Sequence, residues 1–186
     1  MISKLKLVEI LSTSLKSIDY SVSLIPEQRF LISPPHGNHP HADKGFKTYF
    51  GDWSAARLLF HMISYERNYA VPAMEHWLGE PHPQFDLAHP DEEMEEILWK
   101  KASPDDLRPI DLIQQLRSIR AEQTLITEAI PENDIWDERL STSLGKISFV
   151  TIVMKTIQHS FEHGNSLLKI ALYWEGALEW LDRQEG

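Results

Sequence analysis

His159 and His163 stand four residues apart in His159-Ser160-Phe161-Glu162-His163, inside a long helical pattern near the end of the chain. Four residues is just over one helical turn, so both imidazoles leave the same face of one helix. A helix uses this spacing to offer two nitrogen ligands to one metal ion. The same spacing also suits two partly buried, hydrogen-bonded side chains, and the pair by itself leaves both readings open. A third histidine, His61, lies in an earlier helical pattern, and a lone histidine at such a place is more often an ordinary packed side chain. Whether the three meet decides whether there is a site.

Two other metal patterns fit less well. His159-x-x-Glu162-His163 matches a motif in which the glutamate is a general base. That site needs a third, glutamate ligand far downstream, and only a short tail follows His163. The Glu-x-x-His pair of di-iron bundles does not occur in the chain. His36, His39 and His41 in a proline-rich stretch, and His82 and His89 further on, read as solvated loop residues without a rigid frame. His76 reads as a cation near a helix C-terminus.

The chain has no cysteine, so disulfides, thiolate ligands and a cysteine nucleophile are excluded. A metal must be held by His, Asp or Glu, and thiol chemistry would need a thiol brought in as substrate. The 186 residues favour a single domain spanning 1–186. The formal charge of -10 argues against a nucleic-acid partner, which would want a basic stripe, and against a polybasic membrane anchor. No apolar run approaches the roughly 18 residues that span a bilayer, and no signal-peptide core opens the chain. The expected location is cytoplasmic.

Four long helical segments would position the histidines. The first covers about residues 2–21, with Leu5, Val8, Leu11, Leu15 and Ile18 at three- and four-residue spacing. A loop at about 26–51 follows. The second runs from about Trp53 to Leu78, with Asp52 or Ser54 as N-cap and a kink at Pro72. A second long connection, about 79–109, contains an acidic stretch at 91–101 with helical character. The third helix starts between Pro104 and Asp111, where Ser103-Pro104-Asp105-Asp106 is a start signal, and ends before Pro131. The fourth starts near Ser143 and continues to about Arg183. No segment alternates as a strand, so the predicted class is all-α, a four-helix bundle. On the fourth helix Val150, Met154, Ile157 and Phe161 form an apolar stripe, and His159 and His163 border the apolar arc beside Ile152, Ile170 and Trp174. On the second, Ala56, Leu59, Ile63 and Met74 face the core, His61 lies at the edge beside Leu58, Tyr65 and Tyr69, and Arg57 and Asn68 lie on the polar side.

Trp53-Ser54-Ala55-Ala56-Arg57-Leu58-Leu59-Phe60-His61 resembles the second-helix motif of the DinB/YfiT-like family of metal-binding four-helix bundles. Glu66 occupies that family's acidic position after the histidine, and His159-x-x-x-His163 resembles its fourth-helix ligand pair. Ser166 stands where a glutamine is common. The resemblance implies an up-down-down-up bundle with a long crossover between helices two and three. It also implies a metal triad of His61, His159 and His163 with open positions for water or substrate, for which zinc, nickel or iron would serve. Characterised relatives include thiol-dependent S-transferases and a mycothiol-dependent isomerase. The implied function is a divalent-metal-dependent enzyme that activates a low-molecular-weight thiol or water toward a small electrophilic substrate, as a transferase or hydrolase. Tyr65 and Glu66 are its candidates for positioning groups or supporting ligands. The alternatives are a non-catalytic metal-binding or stress-related bundle acting through a protein partner, and a structural homodimer.

Overall fold

The structure is a computed structural model, described for residues 2–34, 53–79, 92–102, 107–142 and 145–175. Among the described residues it is all-α apart from one small hairpin. In order, α1 is Lys4–Ser23, α2 is Ala55–Tyr65, α3 is Val71–Trp77, α4 is Glu92–Lys101, α5 is Pro109–Ala129 and α6 is Phe149–Trp174. β1 (Glu138–Thr142) and β2 (Gly145–Ser148) form an antiparallel pair immediately before α6. Helix α1 packs on α5 and α6, and α2 packs on the same two. Among the described residues no helix is long and apolar enough to cross a membrane.

Local chemistry explains the helix ends. Ser3, Ser54 and Ser148 are extended N-caps whose hydroxyls accept from the backbone N–H of Lys6, Arg57 and Thr151, each satisfying a donor the helix leaves unpaired. Pro109 opens α5, where its missing N–H does no harm. Ser54 is thus the cap of the second helix, while Asp52 and the start signal at 103–106 lie outside the described residues.

The kink expected at Pro72 takes another form. Glu66–Ala70 is a π-helical turn between α2 and α3, and Val71 N–H donates to Glu66 O. Pro72 has no N–H for a carbonyl one α-turn back and its ring would crowd that carbonyl. The wider turn places Pro72 at the start of a fresh α-helical segment.

The hairpin corrects the expectation of no strand. Leu140 pairs with Ile147 and Glu138 with Ser148, with a register shift between Glu138 and Leu140. Only Leu140 and Ile147 mark its apolar positions, too few for a period of two to show in sequence. Helix α6 therefore begins at Phe149 rather than near Ser143. The hairpin is fastened to α3 by Trp77 Nε1, which donates to Asp137 O at 3.0 Å, and by Arg139 over the Trp77 ring.

Two apolar clusters fill the interior. One gathers Ile18, Val22, Phe30, Leu58, Leu59, Leu116 and Leu167. The other gathers Leu7, Leu11, Met74, Trp77, Ile130, Phe149 and Val153. Between them runs a belt of buried polar side chains, Ser14 from α1, Glu66 from the π turn, Arg120 and Gln123 from α5, and Thr156 and Ser160 from α6. The buried arc of α6 therefore passes through Val153, Thr156, Ser160 and Leu167, and the expected stripe is wrong at Met154 and Phe161, which are exposed. Thr156 and Ser160 hide their hydroxyls by donating to Ile152 O and Thr156 O, which disguises a core face as a polar one.

Candidate metal centre

His61 on α2 and His159 and His163 on α6 meet, and one ligand atom from each falls within 4.8 Å of the others. His159 Nε2 lies 3.1 Å from His61 Nε2 and 3.0 Å from His163 Nε2. The α6 spacing brings the second contact and the packing of α2 on α6 brings the first.

Three convergent imidazole nitrogens do not satisfy one another. A neutral imidazole nitrogen presents either one N–H or one lone pair in the ring plane. His61 Nδ1 lies 2.9 Å from Glu95 Oε2, so its Nδ1–H donates to the carboxylate and its Nε2 holds a lone pair. His159 Nε2 faces two neighbours and can donate to only one of them. The Nδ1 atoms of His159 and His163 are buried and have no hydrogen-bond partner among the described residues. Protonation of His159 offers no escape, because burial, and then the proximity of His163 and His61, push its pKa down to about 2. Burial and His61 push His163 down to about 4. Lone pairs on neutral imidazoles aimed at one point are what a divalent cation requires, so the donor set fits such an ion.

Behind His61 stands a charged pair that the sequence did not announce. Glu95 comes from α4, the acidic stretch of the second long connection, and is nearly fully buried. Its Oε1 accepts from Arg57 Nη1 at 2.6 Å. Burial alone would raise the Glu95 pKa, but the hydrogen bonds and charges of His61 and Arg57 outweigh it and hold the carboxyl below its usual range. Arg57, expected on the polar side of α2, is also buried, with its guanidinium 4.3 Å from the Trp53 ring centre. Trp53 in turn lies 5.1 Å from His61, ring to ring. The acidity of 91–101 was the one available signal for Glu95, and it reads equally as a solvated face.

Tyr65 lies against the triad, its ring 4.1 Å from that of His159. Its hydroxyl is buried facing Thr156, outside hydrogen-bond geometry. Burial, with Glu66 beside it, pushes the Tyr65 pKa up to about 12. Glu66 is fully buried in the polar belt. Its Oε1 accepts from Arg120 Nη2 at 2.6 Å and its Oε2 from Gln123 Nε2 at 3.4 Å. Arg120 also donates to Ser160, the residue after His159. Burial pushes the Glu66 pKa up to about 7 against the opposing pull of Arg120. Glu162 is exposed and accepts from Gln158. Ser166 is buried, its hydroxyl donating to Glu162 O. His36, His39, His41, His82 and His89 lie outside the described residues. Two surface clefts of about 390 and 420 Å³ open elsewhere, one beside Val22, Ile25 and Ile113 and the other beside Ser12, Leu15 and Leu125, and neither is lined by a triad histidine.

No family model and no curated protein matches the chain. A solved structure does: the colibactin self-resistance protein ClbS, in complex with a dsDNA, is 14% identical with a TM-score of 0.54 over 98% of this chain and 97% of that one. At this identity the likeness is one of fold. It overturns the exclusion of nucleic acid as a partner, because a protein of this fold is seen with duplex DNA. The physical reason is that a net charge sums over every face of a molecule, whereas DNA meets only one.

Proposed function

We propose that the protein is a divalent-metal-dependent enzyme in which the Nε2 atoms of His61, His159 and His163 hold one zinc, nickel or iron ion. The observation that carries this reading is the convergence of three imidazole nitrogens that cannot satisfy one another. It extends the resemblance to DinB-like four-helix bundles, and takes the chain as one such domain with α1, the α2 to α3 segment, α5 and α6 as its four helices. When bound, such an ion supplies Lewis acidity that lowers the pKa of a thiol or water reaching an open position. The chain's own groups do the rest. Glu95 orients the His61 ring, and Tyr65 packs against the His159 ring. Arg120 and Glu66 anchor α6 through Ser160, next to His159. Because the chain has no cysteine, a reacting thiol would enter as a low-molecular-weight cosubstrate and attack a small electrophile.

The test is metal content by plasma mass spectrometry on untagged protein, beside His61→Ala and the double variant His159→Ala/His163→Ala. One metal per chain, lost in both variants, supports the site and justifies a screen of thiol-transfer and hydrolysis substrates. Absence of metal after incubation with zinc, nickel and iron(II) sinks the reading. Metal without turnover on any such substrate favours a non-catalytic metal-binding role. The fold shared with ClbS, seen with a dsDNA, favours a second reading in which duplex DNA is a partner. Its test is a fluorescence-anisotropy titration with a labelled duplex at two salt concentrations, because phosphate contacts weaken steeply with salt.

A further inference from the structure

Helix α4 sits on the molecule in an unusual way. Its apolar side chains Met94, Ile97 and Leu98 are 50%, 41% and 37% exposed, whereas the carboxylate-bearing Glu95 is 8% exposed. An amphipathic helix normally docks by the reverse arrangement. Trp99 supplies an apolar contact, packing on the Phe60 ring at 5.2 Å. The polar contacts run from Glu95 to His61 and to Arg57, with Glu96 at 3.4 Å from the same guanidinium. A buried carboxylate is costly unless it is paired, and so is the buried Arg57 opposite it.

We infer that Glu95 is a positioning residue that makes α4 part of the metal centre, so that docking of this helix and metal binding at His61 are one linked equilibrium. The inference rests on the metal reading above. Glu95 accepts from His61 Nδ1–H, which fixes the tautomer with the Nε2 lone pair directed at the triad and makes that nitrogen a stronger donor. A cation on Nε2 withdraws charge from the ring and makes Nδ1–H a better hydrogen-bond donor, which tightens the hold on Glu95. Linkage then works in both directions. Whatever undocks α4 weakens the metal, and metal holds α4 down by the same factor.

Two readouts test this on the full chain. The first is zinc affinity by competition with a chromophoric chelator, for wild type, Glu95→Gln and the control Glu93→Gln, an exposed position of the same helix. The expected result is about 10- to 100-fold weaker binding in Glu95→Gln and wild-type affinity in Glu93→Gln. The second is amide hydrogen exchange over residues 92–101 with and without zinc. Zinc slows exchange there in the wild type, and fails to do so in Glu95→Gln at zinc levels that saturate it. Circular dichroism of the metal-free proteins checks that Glu95→Gln keeps its helix content. If wild type binds zinc and Glu95→Gln binds it within about twofold of wild type, far inside the span expected for such a partner, the inference is wrong and the metal centre stands. The same holds if zinc leaves exchange in 92–101 unchanged. If wild type binds none of zinc, nickel or iron(II), both fall together.

Discussion

The metal-free protein should lose stability in mild acid because of His159 and His163. The perturbation is a pH change from 7 to 5 in the presence of a chelator. In the unfolded chain each histidine takes up a proton near 6.5, whereas in the folded protein burial holds them at about 2 and about 4. The unfolded state therefore binds more protons than the folded state between those values, and stability falls as pH falls below 6.5. Taken one at a time, each histidine contributes about 2 kcal/mol over this interval, so the pair contributes about 4 kcal/mol. Against a total stability of roughly 5–15 kcal/mol, that is a large fraction. Glu66 works in the opposite sense, because a carboxyl raised to about 7 stabilises the fold as pH falls through that value. The histidine contribution is therefore read as a difference between proteins. Urea unfolding at both pH values, for wild type and for His159→Gln/His163→Gln, isolates it. With a urea dependence of roughly 2 kcal/mol per molar, the wild-type midpoint should fall by about 2 M more than that of the double variant. Equal falls in the two proteins would refute the claim that these imidazoles are held neutral by burial.

Arg120→Met removes the cation facing buried Glu66 and should lower stability by about 3–5 kcal/mol. Adding Glu66→Gln should restore part of it, as read by urea unfolding at pH 7. Ser54→Ala deletes the cap of α2 and should lower the unfolding free energy by about 1 kcal/mol, while zinc affinity stays unchanged because Ser54 does not touch the triad. Gly164 faces Ile18, where an added Cβ would meet its nearest atom at an ordinary 3.5 Å. Gly164→Ala should therefore stabilise α6 by up to about 1 kcal/mol through helix propensity, seen as a higher melting temperature.

The long helices and the pairing of His159 with His163 were legible because both depend on spacing along helices, whereas the approach of His61 was implied by the family resemblance alone. Leu11 and Ile18 of the first expected stripe, and Ala56, Leu59, Ile63 and Met74 of the second, are buried, whereas Leu5 is exposed. What was not legible depends on partners distant in sequence. Arg57 looks solvated until Glu95, 38 residues on, is brought to it. Thr156 and Ser160 look like surface residues, yet their hydroxyls are satisfied by their own helix and they line the polar belt. The hairpin of β1 and β2 pairs two short strands whose residues show no apolar alternation in sequence. Burial of Glu66 was likewise invisible without Arg120.

The π turn at Glu66–Ala70 gives the molecule a place where chain length can change by one residue. In an uninterrupted α-helix, losing a residue swings everything beyond it by about 100°. Here the turn lies between two stretches with separate duties: upstream, His61 at the triad, and downstream, Met74 and Trp77 against Phe149. Trimming the turn back to α-helical spacing would leave His61 in place and carry Trp77 off Asp137 and Phe149, so the extra residue of the turn is what keeps the ligand-bearing and hairpin-holding halves of this helix in register with their separate partners.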